Sequence, residues 1–418
     1  MSALKDIRVL DLGTYFAGPN CAWHLATMGA EVIKIESCRH PDPLRIAARE
    51  VYPGGEPGER PWNRSGMINE RNRNKYGITL DLTASRGKEI FLRLIKISDV
   101  VVENFQAGVM KRLGMDYPVL AEANPKIILL SLSSQGLTGP EKDYRSFGPT
   151  LEQTSGLLSI TGYPGEPPYI SSLAFPDLVA GTLGPGLILA ALRHVRRAGK
   201  GVHIDLSQRE SATNVIGEVI MDYVMNQRLW EPMGNRHPFM TPHGCYRCKG
   251  EDSWVTIAVS SDEEWRQLCG IMARTELAED SRFLNALARH KHQEKLDKII
   301  EEWTRGQDHY DIQAKLQEVG IAAGAVLDTR ELFDDPHLGE RQFFEKVTHP
   351  EAGTSLHPGT PIRLSKMPEG THMPAPCLGE HNTYIYNKLL GLSDAEIAEL
   401  EGEGLIGIVP TKEALELH

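Results

Sequence analysis

Short apolar runs alternate with segments of helical periodicity through the first half of this chain, and this alternation constrains its fold more than any other feature. The segment at 90–95, for example, repeats apolar residues at helical spacing between two such runs. Strands and helices that alternate in this way form a parallel sheet with helices on both faces. The sequence therefore predicts an α/β fold. The predicted strands are Ile7–Leu12, Val32–Ile35, Ile78–Leu82, Val100–Glu103, Ile127–Leu132 and Val202–Leu206.

A change of composition divides the chain into two parts. Residues 226–252 are rich in turn formers, and they precede a new strand at Trp254–Val259 and a helix-capping pattern at Ser261–Glu264. A chain of 418 residues with 41% hydrophobic content is long enough to form two cores. We therefore predict a large domain from residues 1–225 and 333–418, and a smaller inserted α/β domain with its linker at 226–332.

Charge and cysteine usage limit the partners and the compartment. The formal net charge of −11 disfavours nucleic-acid binding, and six scattered cysteines do not make a disulfide framework. The pair Cys245 and Cys248 lacks the second pair that a zinc site requires, so we interpret both as packing thiols. No apolar run has the length of a membrane span, and no leader pattern precedes the first strand. We expect a cytoplasmic protein without metal, membrane or nucleic-acid partners.

The first strand–helix–strand unit carries DLGTYFAGP at 11–19, which invites comparison with dinucleotide-binding loops. Glu36, at the end of the second strand, has the position of a ribose-binding acid. Only Gly13 and Gly18 are present, however, and Pro19 stands near the start of the helix. The glycine spacing that brings a backbone close to a pyrophosphate is absent, so the sequence disfavours a nicotinamide cofactor.

The stretch SSLAFPDLVAGTLGPG at 171–186 places Asp177 before a glycine-rich segment. We predict Asp177 as the N-cap of a helix that becomes regular from about Leu187, because Pro185 disturbs the first turns. The glycines would then leave room for a ligand to approach the backbone. From this stretch alone, an ordinary helix cap is favoured over a reactive carboxylate.

Three sets of basic and amide residues follow or precede predicted strands and are candidates for an anion site. Those that follow strands are expected to meet at the carboxyl edge of a parallel sheet, where ligands of such sheets bind. In an acidic protein such a cluster favours a negatively charged ligand. The sets are Arg39 with Arg45, Asn74 with Lys75, and Asn104-Phe105 with Lys111 and Arg112.

With these residues assembled, the chain resembles the class III coenzyme A transferases, also called the CaiB/BaiF family, which include formyl-CoA:oxalate and carnitine CoA-transferases. The resemblance runs nearly end to end. It implies a Rossmann-like large domain, a small domain and an interlocked dimer, formed with an identical or a related chain. The matching segments are VLDLGTYFAGP at 9–19, AEVIKIE at 30–36, NRNKYGITLDL at 72–82, VVENFQAGVMKRLGMDY at 101–117, SSQGLTGP at 133–140, the Asp177 segment, GNRHPFMTPHG at 234–244 and LGEHNTYIYNKLLGLSDAEI at 378–397.

The resemblance also implies roles for single residues. Asp177 matches the family's nucleophile, which forms an acyl anhydride and then an aspartyl-CoA thioester. Tyr15, Phe16 and Ala17 match the loop that lines the thioester. CoA thioesters enter as substrates, and no prosthetic group or metal is implied. The residues that match the CoA nucleotide site are Lys75, Asn104, Phe105 and Arg112, to which the anion-site argument adds Arg39.

Two alternatives have to be weighed against CoA transfer. The family includes α-methylacyl-CoA racemases, but their His-Asp pair would fall at Phe147 and Gly148, which cannot move a proton. A CoA-binding or nucleotide-binding subunit without catalysis would not need Asp177. We therefore expect a CoA-transferase. The aromatic residues Tyr15, Phe16, Tyr144 and Phe147 favour a bulky acceptor such as benzylsuccinate over oxalate, with succinyl-CoA as donor.

Overall fold

The computed structural model describes residues 2–46, 51–171, 173–366 and 370–416. The chain divides into two compact units. The larger unit comprises residues 1–157, 170–228 and 340–418, and the smaller comprises 158–169 and 229–339. Residues 158–169 are predicted from the sequence as part of the large domain but lie in the smaller unit; this short segment has neither helical nor strand periodicity that would set it apart.

The larger unit is built on a six-stranded sheet in which every neighbouring pair is parallel. The strand order is 3-2-1-4-5-6, the order of doubly wound nucleotide-binding folds. The predicted α/β class with a parallel sheet is therefore confirmed. The strands are β1 (Arg8–Asp11), β2 (Glu31–Glu36), β3 (Lys75–Thr79), β4 (Val100–Glu103), β5 (Ile128–Ser131) and β6 (Val202–Asp205).

Helices cover both faces of this sheet, and each face has its own apolar core. One core packs α4 and the C-terminal segment against the sheet, and the other packs α1 and α8. Strands β1 to β5 are almost entirely buried and therefore read as mostly apolar runs, whereas the edge strand β6 has no buried residue. The helices of this part are α1 (Ala17–Thr27), α2 (Pro61–Arg64), α3 (Gly66–Arg71), α4 (Ser85–Lys96), α5 (Val109–Arg112), α6 (Tyr117–Ala123), α7 (Gly148–Thr154), α8 (Phe175–Ala198), α9 (Gln208–Thr213) and α10 (Gly217–Asn226).

The smaller unit has a three-stranded antiparallel sheet, ordered β7-β8-β9, with helices packed around Trp265. Ser261 caps α11 by accepting a hydrogen bond from the backbone N–H of Glu264, as its sequence pattern predicts. Burial raises the pKa of the Cys245 and Cys248 thiols, which favours their protonated form. The elements are β7 (His243–Arg247), β8 (Trp254–Ala258), β9 (Ala322–Val326), α11 (Asp262–Ile271), α12 (Ala286–Lys291), α13 (Gln293–Thr304), α14 (His309–Glu318), α15 (Thr329–Asp334) and α16 (Pro336–Glu340).

The C-terminal segment returns to the larger unit and covers the edge strand β3. The Tyr386 hydroxyl donates to the carbonyl oxygen of Thr79 at 2.6 Å, and the Asn382 side-chain oxygen accepts from the N–H of Thr79 at 2.9 Å. These contacts satisfy polar groups that an open sheet edge would expose. This segment contains the hairpin β10 (Phe344–His349) and β11 (Gly353–Pro358), a π-helix at Tyr384–Leu389, α17 (Asp394–Gly402) and α18 (Lys412–Glu416).

Candidate active site

A cavity of about 560 Å³ opens where the strand order of the sheet reverses, between β1 and β4. Loops at the carboxyl ends of neighbouring parallel strands diverge at such a point and leave a crevice. Five of the residues predicted to react or to bind CoA line it together, namely Tyr15, Phe16, Asn104, Phe105 and Asp177, and so do the two further aromatic residues predicted to face the acceptor, Tyr144 and Phe147. The other lining residues are Thr14, Leu44, Gln106, Ser134, Tyr144, Arg145, Ser146, Phe147, Gly148, Pro149, Ala174 and Gln208.

The loop after β1 is held in place by the side chain of Asn104. Its amide nitrogen donates to the Thr14 carbonyl at 2.9 Å, and its oxygen accepts from the Thr14 N–H at 2.8 Å. Tyr15 follows with a φ of 58°, a left-handed conformation that is uncommon outside glycine. Its N–H donates to the Asp42 carboxylate at 3.2 Å. These bonds fix the Tyr15 ring at the cavity wall, where it meets Phe147 edge to face at 5.7 Å.

Buried charged and polar side chains around Lys75 support this loop. Lys75 Nζ donates to the Asp11 carboxylate at 2.8 Å, to the Pro19 carbonyl at 2.9 Å and to the Asn72 side-chain oxygen at 2.9 Å. All three donors of the ammonium are thus used inside the protein, and the side chain is fully buried. The predicted role of Lys75 as a CoA contact is therefore corrected. Lys75 lies within β3 rather than before it, and it supports the loop through Asp11.

Asp177 lies in the first turn of α8 rather than at its N-cap, which is Ala174 at a φ of 50°. The helix begins at Phe175 and continues through Pro185, so the predicted start near Leu187 is wrong. Asp177 is 8% exposed, and its Oδ2 atom makes no hydrogen bond within the described part of the chain. An unbonded buried carboxylate oxygen that lines a cavity is available to a ligand.

Burial raises the pKa of the Asp177 carboxyl to about 6, whereas its own backbone N–H and the charge of Arg71 act in the opposite direction. At pH 7 the carboxylate therefore still outnumbers the acid, by roughly ten to one for one pKa unit. The group is both ionised and poorly solvated at neutral pH. This combination makes a carboxylate a better nucleophile than one in bulk water.

Glu103 positions the other wall of the cavity. It ends β4, and its carboxylate accepts a hydrogen bond from the Phe105 N–H at 2.7 Å. Burial raises the pKa of Glu103 to about 7. Asn104 and Phe105 are therefore fixed from both sides, by Glu103 and by the loop at Thr14.

The remaining residues predicted to hold CoA lie outside this cavity lining. Arg39 is an exposed side chain 3.4 Å from the Asp81 carboxylate, and Arg112 is exposed on the short helix α5. Ala17 is buried at the first position of α1. Arg145, Ser134 and Gln208 line the cavity but are not among the residues predicted from the sequence, because the predicted basic and amide residues lie only around the earlier strands. Arg145 follows the loop after β5, so the same carboxyl-edge argument would have found it.

Gly148 leaves no room for the acid or base of a racemase. A Cβ atom added there would lie 2.6 Å from the Ala174 Cα atom and 2.8 Å from the Asp177 Oδ2 atom. Such contacts are shorter than packed side chains allow. Position 148 therefore admits no side chain beside Asp177, and the neighbouring Phe147 has no proton to exchange.

The family model described as CoA-transferase family III matches residues 4–382. The chain belongs to CoA-transferase family III. Its relatives include the succinyl-CoA–D-citramalate CoA-transferase of Chloroflexus aurantiacus, 34% identical over 96% of this chain and 98% of the relative. The succinate–glutarate CoA-transferase of Agrobacterium fabrum is 32% identical over 92% of this chain and 95% of the relative.

Three further relatives extend this picture of the family. The beta and alpha subunits of succinyl-CoA–L-malate CoA-transferase from Chloroflexus aurantiacus are 30% and 31% identical to this chain, each over 96% of it, and the chain spans 98% and 92% of them. A crystal structure of a CAIB/BAIF family protein from Brucella suis superposes with a TM-score of 0.82, 30% identity, and coverage of 93% of this chain and 99% of that one. This member of CoA-transferase family III is therefore an enzyme that transfers CoA.

Proposed function

We propose that this protein transfers CoA from succinyl-CoA to a dicarboxylic acid through covalent intermediates on Asp177. The observation that carries the proposal is the buried Asp177 carboxyl group. Asp177 lines the cavity, and its Oδ2 atom has no hydrogen-bond partner in the described residues. The protein belongs to a family of CoA-transferases, and several of its relatives are named for succinyl-CoA. This similarity points to succinyl-CoA as the donor here.

The reaction proceeds in two symmetrical halves. The Asp177 carboxylate attacks the thioester carbonyl of the donor, and CoA thiolate leaves as a mixed anhydride forms. The thiolate then attacks the Asp177 carbonyl carbon, which releases the donor acid and leaves an aspartyl-CoA thioester. The carboxylate of the acceptor attacks this thioester, and the thiolate returns to the acyl carbonyl of the new anhydride. The products are the acceptor's CoA thioester and the regenerated Asp177 carboxylate, so no water or cofactor is consumed.

The opposite wall of the cavity suits the CoA part of the substrate. Phe105 offers an apolar ring, Gln106 offers an amide, and Arg145 is an exposed cation in the same lining. An arginine is well matched to the phosphates of CoA because its planar donors bind oxyanions. We place the CoA chain along these residues and the thioester beside Asp177, between Phe16 and Gly148.

The acceptor is the part of the reaction for which the cavity gives chemical limits. The acids named in the relatives, citramalate, glutarate and malate, each carry two carboxylates. Tyr15 and Phe147 meet edge to face beside the site and offer apolar area to a substituent on such an acid. We therefore propose a dicarboxylate with an apolar or aryl substituent, such as benzylsuccinate.

A screen of acids against succinyl-CoA, read by mass spectrometry, tests the acceptor. Isotopically labelled succinate, methylsuccinate, citramalate and benzylsuccinate form a series of increasing substituent size, and oxalate has no carbon chain that could carry a substituent. The label distinguishes the succinyl-CoA product from the unlabelled donor. We expect benzylsuccinate to have the highest kcat/KM and oxalate the lowest. The variants Tyr15→Ala and Phe147→Ala should lower kcat/KM for benzylsuccinate more than for succinate. Equal rates for all acids in the wild type, or a preference for oxalate, would contradict the aromatic recognition.

The same assay tests the role of Asp177. The isosteric change Asp177→Asn removes the nucleophile and keeps the shape of the side chain. We expect transfer to every acceptor to fall below detection in this variant, while binding of CoA persists. Transfer at the wild-type rate would rule out the covalent route and leave acceptor preference as a separate question.

A further inference from the structure

We propose that Arg71 binds the distal carboxylate of the dicarboxylic substrate and thereby selects dicarboxylic over monocarboxylic acyl groups. This inference rests on the proposed function, since it concerns the acyl group that Asp177 receives. Arg71 has no assigned role in the sequence analysis and is the last residue of α3.

Arg71 packs on Phe16, a residue of the cavity lining. The central carbon of its guanidinium lies 4.4 Å from the centre of the Phe16 ring, and Phe16 lines the cavity together with Asp177. The Arg71 side chain is 21% exposed, so its N–H donors are not completely buried. A guanidinium stacked on a ring keeps its donors in the plane of the group, directed past the edge of the ring.

The charge of Arg71 acts on the place where the substrate reacts. Its guanidinium lowers the pKa of the Asp177 carboxyl, against the larger effect of burial. A substrate with a second carboxylate adds another negative charge beside Asp177. Burial of a carboxylate without a cationic partner costs free energy. A cation at this position therefore decides whether the site can bind such a substrate.

The local ion pairs allow Arg71 to change partner. In the free protein Arg71 Nη1 lies 2.8 Å from Glu70 Oε2. The other oxygen, Glu70 Oε1, is 3.7 Å from Arg73 Nη2. When a substrate carboxylate takes Arg71, Glu70 therefore keeps a cation nearby. No buried charge is left unpaired by the exchange.

The other cations around the cavity are less suited to this task. The ammonium groups of Lys34 and Lys75 are fully buried and paired with Asp42 and Asp11. Arg145 lines the cavity but is exposed on the wall where we place CoA. A residue that binds CoA affects all acyl-CoA donors alike, whereas a residue that binds the distal carboxylate affects only those that carry one.

This difference gives the experiment. The variants Arg71→Gln and Arg71→Lys, with Arg145→Ala as the matched control, are assayed with succinyl-CoA and with butyryl-CoA, which lacks the distal carboxylate. We expect Arg71→Gln to lower kcat/KM for succinyl-CoA by about 10- to 100-fold, the loss expected for one charge-assisted hydrogen bond, and to leave butyryl-CoA within about threefold. Arg71→Lys should retain most of the preference, and Arg145→Ala should lower both donors equally.

The inference is overturned if Arg71→Gln keeps the wild-type ratio between the two donors, or lowers both equally. If butyryl-CoA is too slow to follow, the inhibition constant of glutarate against succinyl-CoA replaces the ratio, and it should rise in Arg71→Gln and not in Arg145→Ala. Failure of the proposed function has a different signature, since the wild type would then transfer CoA to no dicarboxylate. Circular dichroism of each variant separates a loss of specificity from a loss of fold.

Discussion

Asp177 is a carboxylate whose native environment is unfavourable for its charge, and this has consequences for both stability and rate. Burial raises its pKa to about 6, from a reference value of 3.8. Between these two values the folded protein holds a proton that the unfolded chain has released. Stability therefore falls as pH rises through this window, and the cost is complete above pH 6. Such a cost is typical of reactive groups in active sites.

The change Asp177→Asn should remove this cost together with the activity. We expect the variant to be more stable than the wild type at pH 7.5, by about 1–3 kcal/mol, because the amide is neutral in both states. At pH 4 the difference should shrink. Urea unfolding of both proteins at the two pH values measures it. A difference that is the same at pH 7.5 and pH 4 would show that the Asp177 pKa is not raised.

The same pKa sets the acid side of the activity profile. Only the ionised carboxylate attacks a thioester, so kcat/KM should fall about tenfold per pH unit below pH 6. A pH series with a donor whose acyl group does not titrate, such as acetyl-CoA, measures this limb, and a parallel series of CoA binding corrects for titration of the CoA phosphate. An acid limb centred near pH 4 would mean that Asp177 keeps the pKa of a solvated carboxylate in the working enzyme.

At the scale of residues, the sequence predicted which residues line the cavity better than it predicted the contacts between side chains. Tyr15, Phe16 and Asn104 could be singled out because they sit at strand ends or in a recognisable loop. The burial of Lys75 could not be foreseen, since it depends on the Asp11 side chain, 64 residues away in the chain. Local pattern carries no information on such a pair.

The contact between α8 and α1 is the element-scale feature on which the site depends. An added Cβ at Gly181 would lie 2.8 Å from the Ala17 carbonyl oxygen, and one at Gly184 would lie 2.7 Å from Cys21 Sγ. These glycines therefore let two helices approach each other, whereas the sequence analysis assigned them to ligand approach. Asp177 and Phe16 stand at the starts of these helices, so the helix spacing sets their separation.

Two alanine substitutions on the same helix test this packing. Gly181→Ala should destabilise the protein by about 1–3 kcal/mol and lower kcat, because the new methyl group pushes α1 and its Phe16 end away. Gly186→Ala is the control, since within the described residues no atom beyond the adjacent residues and the local helix backbone lies within 4 Å of its added Cβ. It should stabilise the helix by roughly 0.5–1 kcal/mol. Thermal unfolding and kcat are measured for both variants. Equal changes in stability and kcat for Gly181→Ala and Gly186→Ala would refute the packing argument.

Sequence pattern predicted most elements of the large sheet within a few residues but failed at α8. Pro185 usually ends or kinks a helix, so the pattern placed the regular helix after it. In the structure α8 runs through it, since burial against α1 and β5 outweighs local propensity. The helix is long and apolar enough to cross a membrane by length and composition alone, with a mean hydropathy of 1.5, but half of that window is buried. This corrects the expectation that no segment meets that criterion, and it is typical of a core helix.

At the scale of the whole molecule, the exposed apolar surface of α10 points to assembly. None of the described residues of α10 is buried, and Val224 and Met225 are 61% and 73% exposed. A monomer in water rarely leaves such a face open. We propose that a second copy of this chain or a related chain covers it.

Light scattering should give the mass of a dimer or a larger assembly for the wild type. The change Val224→Glu places a charge in the proposed contact and should shift the protein towards the monomer. Lys88→Glu, on α4 in the larger unit, is the control for added negative charge. A monomeric wild type, or the same assembly for both variants, would contradict this assignment of α10.

Sequence periodicity predicted a parallel sheet at this scale, whereas its Rossmann-like topology was implied only by the family resemblance. Strand periodicity indicates which residues of a strand are buried, but it does not indicate which strands are its neighbours in the sheet. The reversal between β1 and β4, which creates the cavity, follows from crossover geometry that only the three-dimensional structure shows. The location of the site is therefore a property of the whole sheet rather than of any motif.

The central claim is that Asp177 carries the acyl group and CoA covalently, and trapping tests it most directly. The protein is incubated with succinyl-CoA and then with hydroxylamine, and the digested peptides are mapped by mass spectrometry. We expect a hydroxamate on Asp177, dependent on succinyl-CoA and absent when CoA alone is added. An unmodified Asp177 peptide from a protein that still transfers CoA, or a hydroxamate on another carboxylate, would contradict the account.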